Sequence, residues 1–120
     1  TTNTMKIYIA HNFSARQELA RSIVPYLQVK GHIVTSRWIS DHSKQVGPEW
    51  AQKDLDDVDS ADAILVFLDQ CGNTPGRGKF VEFGYALAKN KKVYALGIDT
   101  NCIFVHLPSV TRITGLEEIA

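Results

Sequence analysis

The chain has no excess of charge of either sign: thirteen Lys and Arg stand against thirteen Asp and Glu in 120 residues. That removes the electrostatic reason for a nucleic-acid polymer or a membrane surface to hold it non-specifically. Cysteine is scarce as well. The two present, Cys71 and Cys102, show no metal-ligand spacing, so neither a zinc site nor a disulfide scaffold is expected. Long apolar runs and a secretory leader are missing, which points to a reduced, cytoplasmic protein with no membrane span. His11, His32, His42 and His106 form no metal set and read as surface or loop residues. Repeats and low-complexity tracts are absent too. What is present is ordinary, 44% hydrophobic and 22% charged residues, as in a single globular domain. That domain is read as 5–120, with Thr1–Thr4 ahead of Met5 an added remnant.

The chain is organised around Ala61 to Leu96, which reads as strand, glycine-rich loop, helix, strand. Ala63 to Leu68 is a short run rich in Ile, Val and Phe, suited to a buried strand that Asp69 ends. Gly72, Asn73, Pro75, Gly76 and Gly78 then interrupt regular structure and let the backbone approach a ligand. A helix follows, with Phe80, Phe83 and Leu87 on one face and Val81, Tyr85 and Ala88 on another. Glu82 lies between them, one turn from the carboxyl end of a strand, where ligands bind in parallel α/β sheets.

The remaining elements fit around this unit. Lys6 to Ala10 is a first strand. Ser14 and Gln17 have the spacing of a capping box that opens a helix with Leu19, Ile23 and Leu27 facing the sheet. A kink is expected at Pro25 and a left-handed cap at Gly31. Ile33 to Trp38 reads as a second strand, and Ile39 to Gly47 as a polar substrate loop or lid. Pro48 and Glu49 suit the first turn of a helix that turns Trp50, Leu55 and Val58 inward and leaves Asp56, Asp57 and Asp59 to solvate its outer face. Lys92 to Leu96 is a fourth strand; Val110 to Ile113, approached through Ile103 to Leu107, supplies a fifth. Alternating strands and helices predict a doubly wound, flavodoxin-like α/β fold, a five-stranded parallel sheet in three α/β/α layers.

Several motifs are excluded. The run from Gly72 to Lys79 is one residue too long for a phosphate-binding P-loop, and Phe80 stands where the magnesium-binding hydroxyl belongs. No dinucleotide fingerprint follows an early strand, and no serine sits in a nucleophile elbow. What remains is a polar set at one rim of the sheet: Tyr8, His11, Asn12, Arg37, Trp38, Asp54, Asp69 and Glu82. Two carboxylates at one pocket can cleave a glycosidic bond, one attacking the anomeric carbon and the other managing the leaving group's proton. A tyrosine hydroxyl could orient the nucleophile, and Trp38 could stack on a base. Glu82 stands out because a half-buried acid among Phe80, Val81 and Phe83 needs a partner or a task. Such chemistry calls for no metal or organic cofactor.

KIYIA at the first strand, DLDDVDSADAILVF, and above all GRGKFVEFGYALAKNKKVYALG resemble the nucleoside 2-deoxyribosyltransferase family. That family is in turn similar to nucleotide N-glycosidases that hydrolyse (deoxy)nucleoside monophosphates. The resemblance implies that Glu82 is a nucleophile forming a covalent glycosyl-enzyme, that Asp54 protonates or orients the departing base, and that Tyr8 holds the nucleophile. Asp69 is a second acidic candidate, with Gly78 at the substrate. It also implies a homodimer or larger homo-oligomer with shared sites, in which His106, or else Asn101, reaches the partner's site. The chain departs from the pattern after its first strand, where His11-Asn12-Phe13-Ser14 replaces a phosphate-gripping Ser/Arg/Gly loop; Arg37, Arg77 and Lys79 could supply positive charge instead. The expected activity is cleavage of a nucleoside or nucleotide N-glycosidic bond, with water or a second base as acceptor. The alternatives are a non-catalytic nucleotide-binding module on the same fold, or an interaction domain without a small ligand.

Overall fold

The computed structural model describes residues 4–69 and 76–119; the expectations for Cys71, Gly72, Asn73 and Pro75 fall outside them. Five parallel strands form one sheet: β1 (Lys6–Ala10), β2 (Ile33–Val34), β3 (Ala63–Phe67), β4 (Lys92–Leu96) and β5 (Val110–Ile113), in the order β2-β1-β3-β4-β5. This is the flavodoxin-like arrangement. The central strands are sealed on both faces, which is why they read as unbroken apolar runs rather than as alternation. Ile7, Ile9, Leu65, Val66 and Val93 are each fully buried. The order reverses between β1 and β3, whose registers match Ile7 with Ala63 and Ala10 with Val66. A crevice opens beyond the carboxyl ends of strands at such a reversal.

The first helix, α1, departs from its expected form at its start. Ser14 lies inside a 3₁₀ turn, Phe13–Ala15, and the helix runs Arg16–Glu18, through a π turn at Leu19–Ile23, to Val24–Val29. No capping box forms at Ser14. The π turn precedes Pro25, which has no N–H to give the carbonyl four residues back, and the Val24 amide reaches Leu19 instead. The proline is thus absorbed by widening one turn. At the other end the expectation holds: Gly31 has φ +93°, its N–H reaches the Gln28 carbonyl, and that of His32 reaches Leu27. These two bonds are a Schellman motif, which needs a residue tolerant of positive φ. His32, in the connection before β2, is buried, and its Nδ1 accepts the Met5 N–H at 3.1 Å; it is a loop residue as expected, but not a surface one.

The second strand is shorter than its alternating sequence implies. Beyond Val34, side chains take over the edge of β1: Ser36 Oγ accepts the Ile9 N–H at 2.6 Å, and Trp38 Nε1 donates to the Ile9 carbonyl at 3.1 Å. The ladder is satisfied without more strand, and Arg37–Ile39 folds into a 3₁₀ turn. Arg37 and Trp38 therefore lie past β2 and do not end it. Helix α2 (Pro48–Ser60) starts with Gly47 at φ +89° as its N-cap and Pro48 in its first turn. Trp50 and Val58 are buried as expected, whereas Leu55 is only half-buried and Asp57, read as solvated, is buried. Helix α3 (Arg77–Ala88) buries Phe83 and Ala86 and leaves Val81 in solvent. Ile103–His106 is a 3₁₀ turn, and only Val110–Ile113 completes the sheet.

Candidate active site

The switch-point crevice is a cleft of about 540 Å³ with His11, Phe13 and Trp38 on one side, Gln45, Gly47, Trp50 and Asp54 on another, and Gly76 through Lys79 with Glu82 on the third. That volume falls within the roughly 300–1,000 Å³ of small-molecule sites. Each wall has a local cause. Residue 82 is at the second turn of α3, so its side chain points back towards the helix start and the sheet rim. Asp54 leaves the middle of α2, which packs against α3. Trp38 is pinned by its bond to the β1 edge.

Tyr8 and Glu82 meet across the rim. The Tyr8 hydroxyl donates to Glu82 Oε2 at 2.7 Å, joining residues 74 apart in sequence. Tyr8 is fully buried. Burial first, then the neighbouring Glu82 charge, push its hydroxyl far above its ordinary range, so it remains a donor. Glu82 is half-buried. Its pKa is pushed up to about 8, mainly by burial and then by Asp54 and Asp57, against a lowering by the Tyr8 hydrogen bond. Asp54 is pushed up to about 6 by burial and by Asp57, and Arg37 opposes this. The Oδ1 atom of Asp54 is buried without a hydrogen-bond partner among the described residues. A buried polar atom without a partner is uncommon and calls for a cause; the residue itself lines the cleft.

Two other expected residues join the cleft, and four do not. His11 stacks flat on Phe67, with centroids 4.4 Å apart, and its Nδ1 accepts the Asn12 N–H at 2.8 Å. Burial and nearby Lys79 lower its pKa to about 4, so the ring is neutral with its proton on Nε2. Gly78 lines the floor. Asn12 lies beneath it, 1% exposed, and its Oδ1 accepts from Lys79 Nζ at 3.1 Å. Lys79 is not a rim charge; it is buried and also reaches the Asp69 carbonyl at 3.4 Å. Gly76 has φ +61°, and a Cβ there would strike the Asn12 amide. Asp69 turns away from the cleft, its carboxylate accepting the N–H groups of Ile98 and Asp99 beside Gly97. Arg37 pairs with Asp57 at 2.8 Å, and His106 is exposed on the turn before β5.

Sequence reasoning missed Trp50 and Gln45 as cleft residues. Trp50 was legible as an inward residue of α2, but nothing in the sequence said that its ring would reach the cleft. Gln45 Nε2 donates to the carbonyls of Trp38 at 2.9 Å and Asp41 at 2.8 Å, which folds the Ile39 to Gly47 loop over the entrance. No three metal-ligating side chains cluster among the described residues.

The family model described as nucleoside 2-deoxyribosyltransferase matches residues 7–109. The chain belongs to that family. It is thereby an enzyme of the nucleoside 2-deoxyribosyltransferase kind, with a nucleoside-type small molecule as its substrate. Among solved structures it resembles the CMP N-glycosidase BcmB of Clostridium botulinum, with 21% identity, a TM-score of 0.60, and coverage of 90% of this chain and 87% of that one. At that identity the likeness speaks for the fold. No curated protein sequence matches the chain significantly. No helix among the described residues is long and apolar enough to cross a membrane.

Proposed function

We propose that this family member cleaves the N-glycosidic bond of a nucleoside or nucleoside 5′-monophosphate by double displacement at C1′, with Glu82 as nucleophile. The observation that carries the reading is the Tyr8–Glu82 bond at 2.7 Å, with Asp54 lining the same cleft as Glu82. Tyr8 occupies Oε2, so Oε1 attacks. The C1′–N bond breaks with its electron pair on the base, and Asp54 gives that base a proton. A C1′–Oε1 ester remains. Water or a second base then attacks C1′, the ester electrons return to Glu82, and the attacker's proton passes to Asp54.

The aromatic faces of Phe13, Trp38 and Trp50 suit a flat base, and the neutral His11 Nε2–H suits a sugar oxygen. Arg37 and Lys79 are engaged with Asp57 and Asn12, so Arg77, exposed in the first turn of α3, is the cation offered to a 5′-phosphate at the cleft mouth. Asp69 serves the reaction by holding the turn after β4 and does not touch substrate. The site is read as cytoplasmic and free of cofactor. Incubation with a panel of nucleosides and 5′-monophosphates, with free base followed by chromatography, tests the reading. Base release supports it, and a second free base separates exchange from hydrolysis. Saturable binding without release over hours would replace it with the non-catalytic module.

Tyr8→Phe removes the bond that favours ionised Glu82 and is expected to lower kcat by about 10- to 100-fold. The alkaline limb of the pH profile should move upward, because the lost bond is the one that lowers the Glu82 pKa, the higher of the two carboxyls. The enzyme is also read as a homodimer. Ile103 is 72% exposed and Phe104 56%, beside an apolar groove of about 640 Å³ under Phe80, Leu87 and Cys102. Apolar area of that extent marks an interface, and docking it would carry His106 towards a second copy. Sedimentation is expected to show a dimer that Phe104→Asp dissociates; a wild-type monomer at micromolar concentration would refute the assembly.

A further inference from the structure

Asp57 lies one turn after Asp54 on α2, so the two side chains leave the same side of the helix. It is 5% exposed, and one residue engages both its oxygens. Oδ1 accepts Arg37 Nε at 2.8 Å, and Oδ2 accepts the Arg37 backbone N–H at 3.0 Å. Its own carbonyl accepts the Thr35 hydroxyl at 2.9 Å. Asp57 does not line the cleft. Only the Asp57 end of this pair is buried; with more than half of the Arg37 side chain in solvent, screening leaves the pair little net stabilising value, and apolar side chains could hold the same joint. What apolar side chains cannot supply is a fixed field at Asp54. With Oδ1 of Asp54 unpartnered, no hydrogen bond dictates whether that atom carries a proton. Burial first, and then the field around it, decide, and that field comes from Asp57 on its own helix and Arg37 on the turn after β2, with Glu82 and Tyr8 across the cleft.

We propose that the Asp57–Arg37 pair is a positioning device: Asp57 biases Asp54 towards its acid form, and the clamp on Arg37 fixes the turn that sets Trp38 in the cleft wall. The two members act on Asp54 with opposite sign, Asp57 favouring its protonated form and Arg37 its ionised form. Arg37 is solvent-exposed on its outer side, and its charge is screened there. The buried Asp57 is screened less, so its influence prevails. The kinetic consequence rests on the glycosidic reading above; the effect on Asp54 does not.

The test compares Asp57→Asn, Arg37→Gln and Arg37→Lys with the wild type. Asp57→Asn keeps the shape and an acceptor for Arg37 but removes the negative charge. Asp54 is followed directly through the carboxyl ¹³C shift in aspartate-labelled protein as pH is varied, and kcat/KM for base release is profiled in parallel. Asp57→Asn is expected to lower the Asp54 midpoint by about one pH unit, a tenfold change in its protonated fraction at a given pH. Arg37→Gln should raise it, and Arg37→Lys should return it to the wild-type value. A clamp with a purely structural role would lower activity in all three variants without moving the midpoint in opposite directions, and that outcome overturns the proposal. Should Asp57→Asn fail to fold, the two Arg37 variants decide the sign alone. If the wild type releases no base, the glycosidic reading fails while the ¹³C midpoints still test the pair.

Discussion

Glu82→Gln is expected to lower base release by at least about 10⁴-fold, the scale seen when a covalent nucleophile is removed. The amide is nearly the shape of the carboxylate, and its carbonyl can still accept the Tyr8 hydroxyl, so substrate binding should survive. The variant should also be more stable than the wild type at alkaline pH. The folded-state pKa of Glu82 is pushed up to about 8, mainly by burial. A carboxyl whose folded pKa is raised binds more protons folded than unfolded, so stability falls as pH rises from about 4.5 to about 8. Glutamine cannot ionise and escapes that loss. Thermal unfolding at pH 5 and pH 8.5 is the check: the two proteins should match in acid and differ by on the order of 3 kcal/mol in base. An equal Tm at both pH values would mean that the carboxyl is solvated in solution. Base release that survives in Glu82→Gln would end the nucleophile assignment.

The second large effect concerns Asp54. Both carboxyls are pushed up, Asp54 to about 6 and Glu82 to about 8, so near neutral pH the pair holds one proton between them. Productive attack needs that proton on Asp54, with Glu82 ionised against the Tyr8 hydroxyl, which the higher Glu82 value makes the minor of the two one-proton arrangements in the free enzyme. Below the lower value both acids are protonated and the nucleophile is neutral. Above the upper value both are ionised and the leaving base receives no proton. The wild-type kcat/KM profile is therefore expected to be bell-shaped with limbs near these values. Asp54→Asn should cost about 10²- to 10⁴-fold on ordinary nucleosides. It should also lose the alkaline limb, because the remaining ionisation is that of Glu82. A deoxyriboside with a p-nitrophenolate leaving group needs no proton, and the variant should cleave it almost as well as the wild type. Equal losses on both substrates would make Asp54 a binding group and not an acid.

The positions of Tyr8, Asp54 and Glu82 were legible because each follows from an element that the pattern of apolar residues defines well. A residue two places into a buried strand, one facing out of a helix, and one a turn into the next helix must approach the same rim once the strands are parallel. Other residues misled for a physical reason. Ser36 and Trp38 continue an alternating pattern, yet their side chains, and not their backbone, complete the edge of β1. Alternation shows which faces are apolar, not which atoms make the hydrogen bonds.

From sequence alone come the order of strands and helices, the parallel sheet that this order demands, the left-handed stop at Gly31, and an acid set among apolar neighbours at the start of a helix. These depend on local periodicity and backbone stereochemistry, which a few consecutive residues determine. The tertiary structure alone decided the rest: that Lys79 is buried in the cleft wall with its ammonium on Asn12, that Asp69 faces the turn after β4, and that Asp57, not Asp54, takes the arginine. Each of those outcomes depends on which of several equivalent polar groups comes within about 3 Å of another once helices pack, and that distance is set by segments far apart in the chain.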